Sequence, residues 1–286
     1  MMQQKIRLIA LDMDGTLLTT DKQITAETKA AVREALAAGI QVTLCTGRTK
    51  CETQIARDAI PEIPYMICSS GALVYDCIHE KTLYENNLDY DMVCTIFRAL
   101  SAFDMQFELF LPDKIYAEQK TLERLEDFQV GRLKPLILKS RTPVPDMKAF
   151  LADWQKPVSK VHIFFRSPAQ RDAAWKVAAQ YPVSIAAAEL TDLEINAATS
   201  GKGDGLAHLC KILSIPAEQT MGVGDSRNDL SMLAFSGVAV AMANAHEEVK
   251  KICPYMTDGN DQDGAAKAIR RFALGEPFDE TTAKPR

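Results

Sequence analysis

The chain is predicted to be an α/β protein, a doubly wound parallel sheet into which a second, smaller α/β domain is inserted. Three observations lead there. The run Ile6, Leu8, Ile9, Ala10 and Leu11 is almost continuously apolar, as suits a strand covered on both faces of a parallel sheet. Runs of this kind alternate with helical patterns near both ends of the chain, the βαβ rhythm of such a sheet. Between residues 84 and 189 the texture changes and the rhythm breaks.

After the first strand, "ITAETKAAVREALAAG" offers Thr25 as a cap, Val32, Ala35 and Leu36 on one face and Gly39 as a stop, which together define a helix. "IQVTLC" at 40–45 is a second strand ending in "TGR", and "YMIC" and "ALVYD" are two short strands around "SSG". In the middle segment, "LKPLILKS" and "KVHIFFRS" read as strands, with helical patterns around 89–103 and 168–180. From "LTDLEIN" the βαβ rhythm returns. A helix over 202–213 precedes the strand "TMGVGD", a helix over 227–235, the strand "VAVAM" and a helix over 264–274. The expected domains are therefore 1–83 with 190–275, the inserted 84–189, and a polar tail, 276–286, expected to be disordered.

A chain of 286 residues can bury a sizeable core, and 47% hydrophobic with 25% charged residues is the composition of a soluble globular protein. No stretch approaches the roughly 20 apolar residues of a membrane span, and the N-terminal apolar run is broken by Asp12 and Asp14, so no export signal is read and a cytoplasmic address is expected. The 7 cysteines form no CxxC pair, and reduced, mostly buried thiols are expected. A net charge of −5 argues against a general nucleic-acid binder. No membrane and no obligate protein partner is indicated.

Four clusters carry the chemistry: "DMDGT" (12–16), "TGR" (46–48), "GK" (201–202) and "GDSRND" (224–229). Each falls at a strand end, and in open α/β sheets the carboxyl ends of the strands are where ligands bind. Singly, each passes for turn punctuation. Together they bring acids, a hydroxyl and a lysine to one edge. Asp12 and Asp14, two apart on extended chain, point to one side, and like charges held that close call for a cation or a proton. Asp12, Asp14 and Asp225 supply the hard oxygens that Mg²⁺ prefers. Thr46 supplies a hydroxyl, and the backbone around Gly47 can approach an anion closely. Lys202 opens a helix, where its charge opposes the dipole unless an anion lies nearby. An EF-hand is excluded. Leu17 stands where that loop needs Gly and Gln23 where it needs Glu, and aligning Gly264 at the turn position of the loop near 258 puts Gly259 where the first Asp belongs.

The ordered motifs, with an insertion in the gap between the second and third, resemble those of the haloacid dehalogenase superfamily, in particular its Cof-like phosphatases with a type IIB cap. The resemblance runs from residue 5 to about 273 and includes "SSGALVYD", "VSKVHIFF", "NDLSML", "AMANA" and "DGNDQDGAA". It implies a Rossmann-like core with an inserted cap, and an Mg²⁺-dependent phosphatase acting on small phosphate monoesters, with sugar phosphates favoured. It further implies that Asp12 is the nucleophile, forming an aspartyl-phosphate, and that Asp14 is the general acid and base. Asp12, the main-chain carbonyl of Asp14, and Asp225 would hold the metal. Thr46, Gly47 and Lys202 would hold the phosphoryl group. Asn228 and Asp229 would stand beside the metal or on it, and Arg48 would serve either as a substrate contact or in a structural ion pair.

Ser70 stands where these phosphatases usually have Asn, and Ala243 where they usually have Gly. Arg132, Lys134, Lys139, Arg141, Lys160 and Arg166 crowd the inserted segment. They read either as solvated strand faces or as contacts to an anionic or hydroxyl-rich substrate. Two alternative functions remain at this level: a phosphomutase or phosphotransferase using the same intermediate, and a non-catalytic module that binds a phospho-metabolite.

Overall fold

The computed structural model describes residues 5–187 and 189–275, without the side chain of Arg132; the expected disordered tail lies outside the described residues. The described chain forms two units, one of residues 5–48, 53–84 and 201–275, the other of 49–52 and 85–200.

In the first unit the strands met before the insertion are β1 (Leu8–Leu11), β2 (Gln41–Cys45), β3 (Tyr65–Cys68), β4 (Leu73–Asp76) and β5 (Lys81–Glu85). The second unit supplies β6 (Met105–Phe110), β7 (Ile115–Glu118), β8 (Arg141–Val144), β9 (Lys160–Phe165), β10 (Val183–Ala186) and β11 (Asp192–Ala197). The first unit then resumes with β12 (Thr220–Gly224), β13 (Val238–Ala241) and β14 (Tyr255–Met256).

The first sheet has the order β14-β13-β12-β1-β2-β3-β4-β5. It is parallel from β14 to β3, and β4 turns back antiparallel on β3. All four residues of β1 are fully buried, as a strand packed on both faces requires. The helix Ala26–Ala37 starts as expected from Thr25, whose hydroxyl accepts from the Thr28 amide at 3.0 Å.

The second sheet has the order β10-β11-β9-β6-β7-β8 and is antiparallel apart from β7 and β8. Its two faces differ. Phe107, Leu109, Val161, Ile163, Phe165, Leu193 and Ile195 pack with Val93, Ile96, Ala174 and Ala178 of the helices Tyr90–Ala99 and Pro168–Ala178. The alternate residues Gln106, Glu108, Lys160, His162, Asp192 and Glu194 are polar and equally buried.

Three sequence expectations need correction. "LKPLILKS" is a helix, Lys134–Ser140, with Pro135 in its first turn, where the missing N–H costs nothing; the strand β8 begins only at Arg141. β11, expected to return the chain to the first sheet at 190, pairs instead with β9 and β10, and the first unit resumes at Gly201. Its alternation of Asp192, Glu194 and Asn196 with Leu193 and Ile195 is the mark of a strand with two unlike faces. Finally, Arg141 and Lys160 are not on solvated faces: their side chains are 4% and 1% exposed. Lys139 and Arg166 are exposed, and Arg166 pairs with Asp104 and Asp127.

All 7 cysteines are free thiols, with Cys45, Cys68, Cys210 and Cys253 buried. No helix among the described residues is long and apolar enough to cross a membrane.

Candidate active site

Register builds this site. β1 runs parallel to both neighbours with Leu11 opposite Leu44 and Val223. Asp12, Thr46 and Asp225 therefore leave their strands at one edge, the carboxyl edge of the sheet. Lys202 joins them as the first residue of the helix Lys202–Leu213.

Lys202 is 1% exposed, and its Nζ donates to Asp12 Oδ1 and to Asp229 Oδ1, each at 2.6 Å. The second oxygen of Asp229 accepts from the Asp225 and Ser226 amides at 3.0 and 2.9 Å. Thr16 donates its hydroxyl to Asp225 Oδ1 at 3.0 Å. Asp12 Oδ2 is buried and no donor reaches it. Asp12, Asp225 and Asp229 each offer an oxygen within 4.8 Å of the other two. Three carboxylates thus crowd one ammonium ion, which bonds two of them. Gly15 makes the crowding possible: it holds φ +82°, and a Cβ there would stand 2.4 Å from Asp225 Oδ2.

Burial pushes the Asp12 carboxyl well above its ordinary range, and the nearby charges of Asp229 and Asp225 push the same way against Lys202. Burial and Asp229 likewise bring Asp225 up to about 7. Burial alone would lower Lys202, but Asp12 and Asp229 outweigh it and keep the ammonium charged. An orphaned carboxylate oxygen, hard donors and an excess of negative charge are what a divalent cation satisfies, so the donor set fits Mg²⁺.

Asp14 is placed differently. Its carboxylate accepts from Arg48 Nε at 2.7 Å, Arg48 Nη2 at 2.8 Å and Lys22 Nζ at 2.6 Å. Burial would raise this carboxyl, yet the bonds and charge of Arg48, joined by Lys22, hold it far below the usual carboxylate range. Its side chain is not in the group formed by Asp12, Asp225 and Asp229. Thr46 is buried and its hydroxyl accepts from the Arg48 amide at 3.1 Å. Gly47 lies between them, half-buried. Asn228 is turned to Ser226, whose hydroxyl donates to its Oδ1 at 2.9 Å. Ser70, where Asn was the usual residue, holds φ +56°, a region that Asn tolerates well; its amide donates to the Thr46 carbonyl at 3.1 Å.

Sequence reasoning missed Lys22, Thr16 and the double role of Asp229. Thr16 was visible as the last residue of "DMDGT". Lys22 gave no signal, since it reaches Asp14 only because it turns at φ +59°. The tie from Asp229 to Lys202 joins positions 27 apart in the chain.

The model of the haloacid dehalogenase-like hydrolases matches residues 9–269. The chain belongs to this family. Phosphatase YwpJ of Bacillus subtilis is 31% identical to the hydrolase, over 93% of this chain and 100% of its own. The 5-amino-6-(5-phospho-D-ribitylamino)uracil phosphatase YwtE of the same organism is 27% identical, over 95% and 99%. Among solved structures, a haloacid dehalogenase-like hydrolase from B. subtilis superimposes with a TM-score of 0.80 at 27% identity, covering 93% of this hydrolase and 99% of that chain. The class expected from sequence, a phosphoric monoester hydrolase, is the one to which these named relatives belong.

Proposed function

We propose that the protein is an Mg²⁺-dependent phosphatase that hydrolyses small phosphate monoesters, with sugar phosphates as the favoured class, through an aspartyl-phosphate on Asp12. The observation that carries this reading is Asp12 itself: one oxygen is held by Lys202 and the other, buried, meets no donor. A carboxylate so placed is fixed in direction and keeps a lone pair for attack on phosphorus.

Asp12, Asp225 and the Asp14 carbonyl would hold Mg²⁺, with Asp229 beside them, and the ion would supply positive charge to offset that of the phosphate. Lys202, the Thr46 hydroxyl and the amides around Gly47 bind the phosphoryl oxygens and offset charge as it develops. Asp14 gives the leaving alcohol its proton and then takes one from the water that cleaves the acyl phosphate. That step requires Arg48 and Lys22 to yield the Asp14 carboxylate as the ester enters. Arg48, released from Asp14, then meets the substrate, which unites its two expected roles.

The sugar-phosphate class draws support from the relative YwtE, whose named substrate carries its phosphate on a ribityl chain, a polyhydroxylated ester. Phosphate release from a panel of sugar, polyol, nucleotide and cofactor phosphates, with and without Mg²⁺, tests the reading in wild type and Asp12→Asn. Metal-dependent release that is lost in the variant, ranked highest on sugar or polyol phosphates, is expected. Release that survives in Asp12→Asn, or needs no divalent ion, rejects it.

A further inference from the structure

Two motifs noted in the sequence, "AMANA" and "DGNDQDGAA", take no part in the chemistry above. Both lie after strands of the first sheet, and both reach the loop that follows β1. Asn244 Nδ2 donates to the Gly15 carbonyl at 2.8 Å, on the peptide between Gly15 and Thr16. Asn260 Nδ2 donates to the Leu18 carbonyl at 3.0 Å. Asp261 takes both donors of Thr20, the amide at 2.8 Å and the hydroxyl at 2.7 Å, one on each carboxylate oxygen. Asp263 Oδ1 accepts from the Thr25 hydroxyl at 2.6 Å. The two motifs are also tied together, since the Asn260 amide donates to Asn244 Oδ1 at 3.0 Å.

We propose that Asn244, Asn260, Asp261 and Asp263 form a clasp on loop 13–25 and act as positioning residues for Asp14; the inference rests on reading Asp14 as the acid. The loop needs such a clasp. Its first half is held from within, by the bridge between Asp14 and Leu18 and by the Leu17 and Leu18 amides on the Asp12 and Met13 carbonyls. Its second half has only a turn of its own: Thr19 and Gln23 bond across it, and Lys22 donates its amide to Thr19. Lys22 projects from that turn at φ +59° to reach Asp14 at 2.6 Å. A non-glycine residue keeps that conformation only where its surroundings fix it, and the bonds to Thr20 fix it from two residues away.

Asn244 and Asp261 are exposed, so their bonds to the loop are not a by-product of core packing and their loss should leave the fold standing. A shift of an ångström in a proton donor costs an enzyme rate without touching its binding groups. The effect should depend on how much the ester needs its proton. An alkyl phosphate needs it for the alkoxide to leave, whereas p-nitrophenol leaves without help.

The test compares wild type with Asn244→Ala, Asp261→Ala and Thr20→Val by amide hydrogen exchange and by kcat/KM on an alkyl phosphate and on p-nitrophenyl phosphate. Two lost hydrogen bonds should speed exchange of the Thr20 amide and its neighbours in 15–23 by roughly thirtyfold, leaving β1 and β12 unchanged, with Thr20→Val between. Turnover of the alkyl ester should fall about tenfold or more, and that of the aryl ester no more than about twofold. Asp261→Asn, which keeps an acceptor and regains a donor, should recover most of the loss. Unchanged exchange in both alanine variants overturns the clasp, and equal losses on the two esters overturn its action on Asp14. Asp14→Asn, run alongside, separates the two levels. If it discriminates between the esters while the clasp variants do not, the phosphatase reading stands and the clasp falls. If it does not discriminate, the acid role falls and the positioning role with it.

Discussion

Replacing Lys202 with methionine keeps the length of the side chain and removes its charge. In the structure the ammonium lies 2.6 Å from an oxygen of Asp12 and of Asp229, which are 3% and 0% exposed. At an effective dielectric constant of about 20, each such contact is worth about 6 kcal/mol of attraction. Most of that sum offsets the cost of burying the three charges, so the net loss on breaking the set should be about 3–5 kcal/mol, the range for a buried charge left without its partner. Urea unfolding in EDTA is the direct assay, because there the lysine alone opposes three carboxylates. Mg²⁺ should return part of the loss, and more of it in the variant than in wild type, since the cation meets a larger excess of negative charge. On the reading of Lys202 as a phosphoryl contact, kcat should fall about 10²–10³-fold. A variant within about 1 kcal/mol of wild type in EDTA would refute the electrostatic argument. Full stability loss with kcat intact would confine Lys202 to structure.

Asp12→Asn should abolish turnover while leaving stability in EDTA equal to wild type or higher, because it removes one of three crowded charges; circular dichroism melts beside the phosphate-release assay check both halves. The pH dependence of stability in EDTA follows from Asp225, whose carboxyl is raised to about 7 by burial and Asp229. A carboxyl raised in the folded state binds its proton more tightly there, so its contribution is complete below the ordinary value of 3.8 and is lost as pH climbs through about 7. Metal-free protein should therefore weaken between those values, and Asp225→Asn should flatten the slope; a slope that Asp225→Asn leaves unchanged rejects the assignment. In the second unit, Arg141→Met removes the guanidinium that Glu108 and Glu52 share, 0% and 3% exposed at the side chain, and a loss of about 3–5 kcal/mol is expected in urea unfolding. Pairing with Arg141 outweighs burial and keeps the Glu108 carboxyl below its ordinary 4.5, so this support should be present above that value and fail as the pH falls through the lower folded one.

The first sheet and its edge were legible because burial on both faces leaves a continuous apolar run, and because "DMDGT", "TGR" and "GDSRND" each end such a run, while "GK" opens a helix. The second sheet was not. Its strands carry charge on alternate residues, and Arg141 and Lys160 read as solvated faces or substrate contacts because sequence does not reveal that Arg141 will meet Glu52 across 89 residues or that Lys160 will meet Glu194. The same limit hid Lys22. An ion pair made by a left-handed turn obeys no period, whereas Thr25 and Gly39 sit at helix ends where capping leaves a fixed signature.

Among the described residues, two groups have the donor types of a metal site: Asp12, Asp225 and Asp229, and His162, Asp192 and Glu194. Spacing does not separate them, but their partners do. In the second group Glu194 faces Lys160 at 2.9 Å and Asp192 faces His162 Nε2 at 2.9 Å, while the neighbouring Glu108 and Glu52 share Arg141. Each acid there has a basic group against it, and a cation would have to displace one. In the first group Asp12 Oδ2 meets no donor, Asp225 has a threonine hydroxyl and no lysine or arginine, and Lys202 is already divided between Asp12 and Asp229. Buried charge is tolerated when it is paired and costly when it is not, so the set with three acids to one lysine is the one that gains by binding a cation. The sheet edge where β1, β2 and β12 end and the helix Lys202–Leu213 begins supplies that set, and the same edge supplies the lysine that would steady a phosphate beside it.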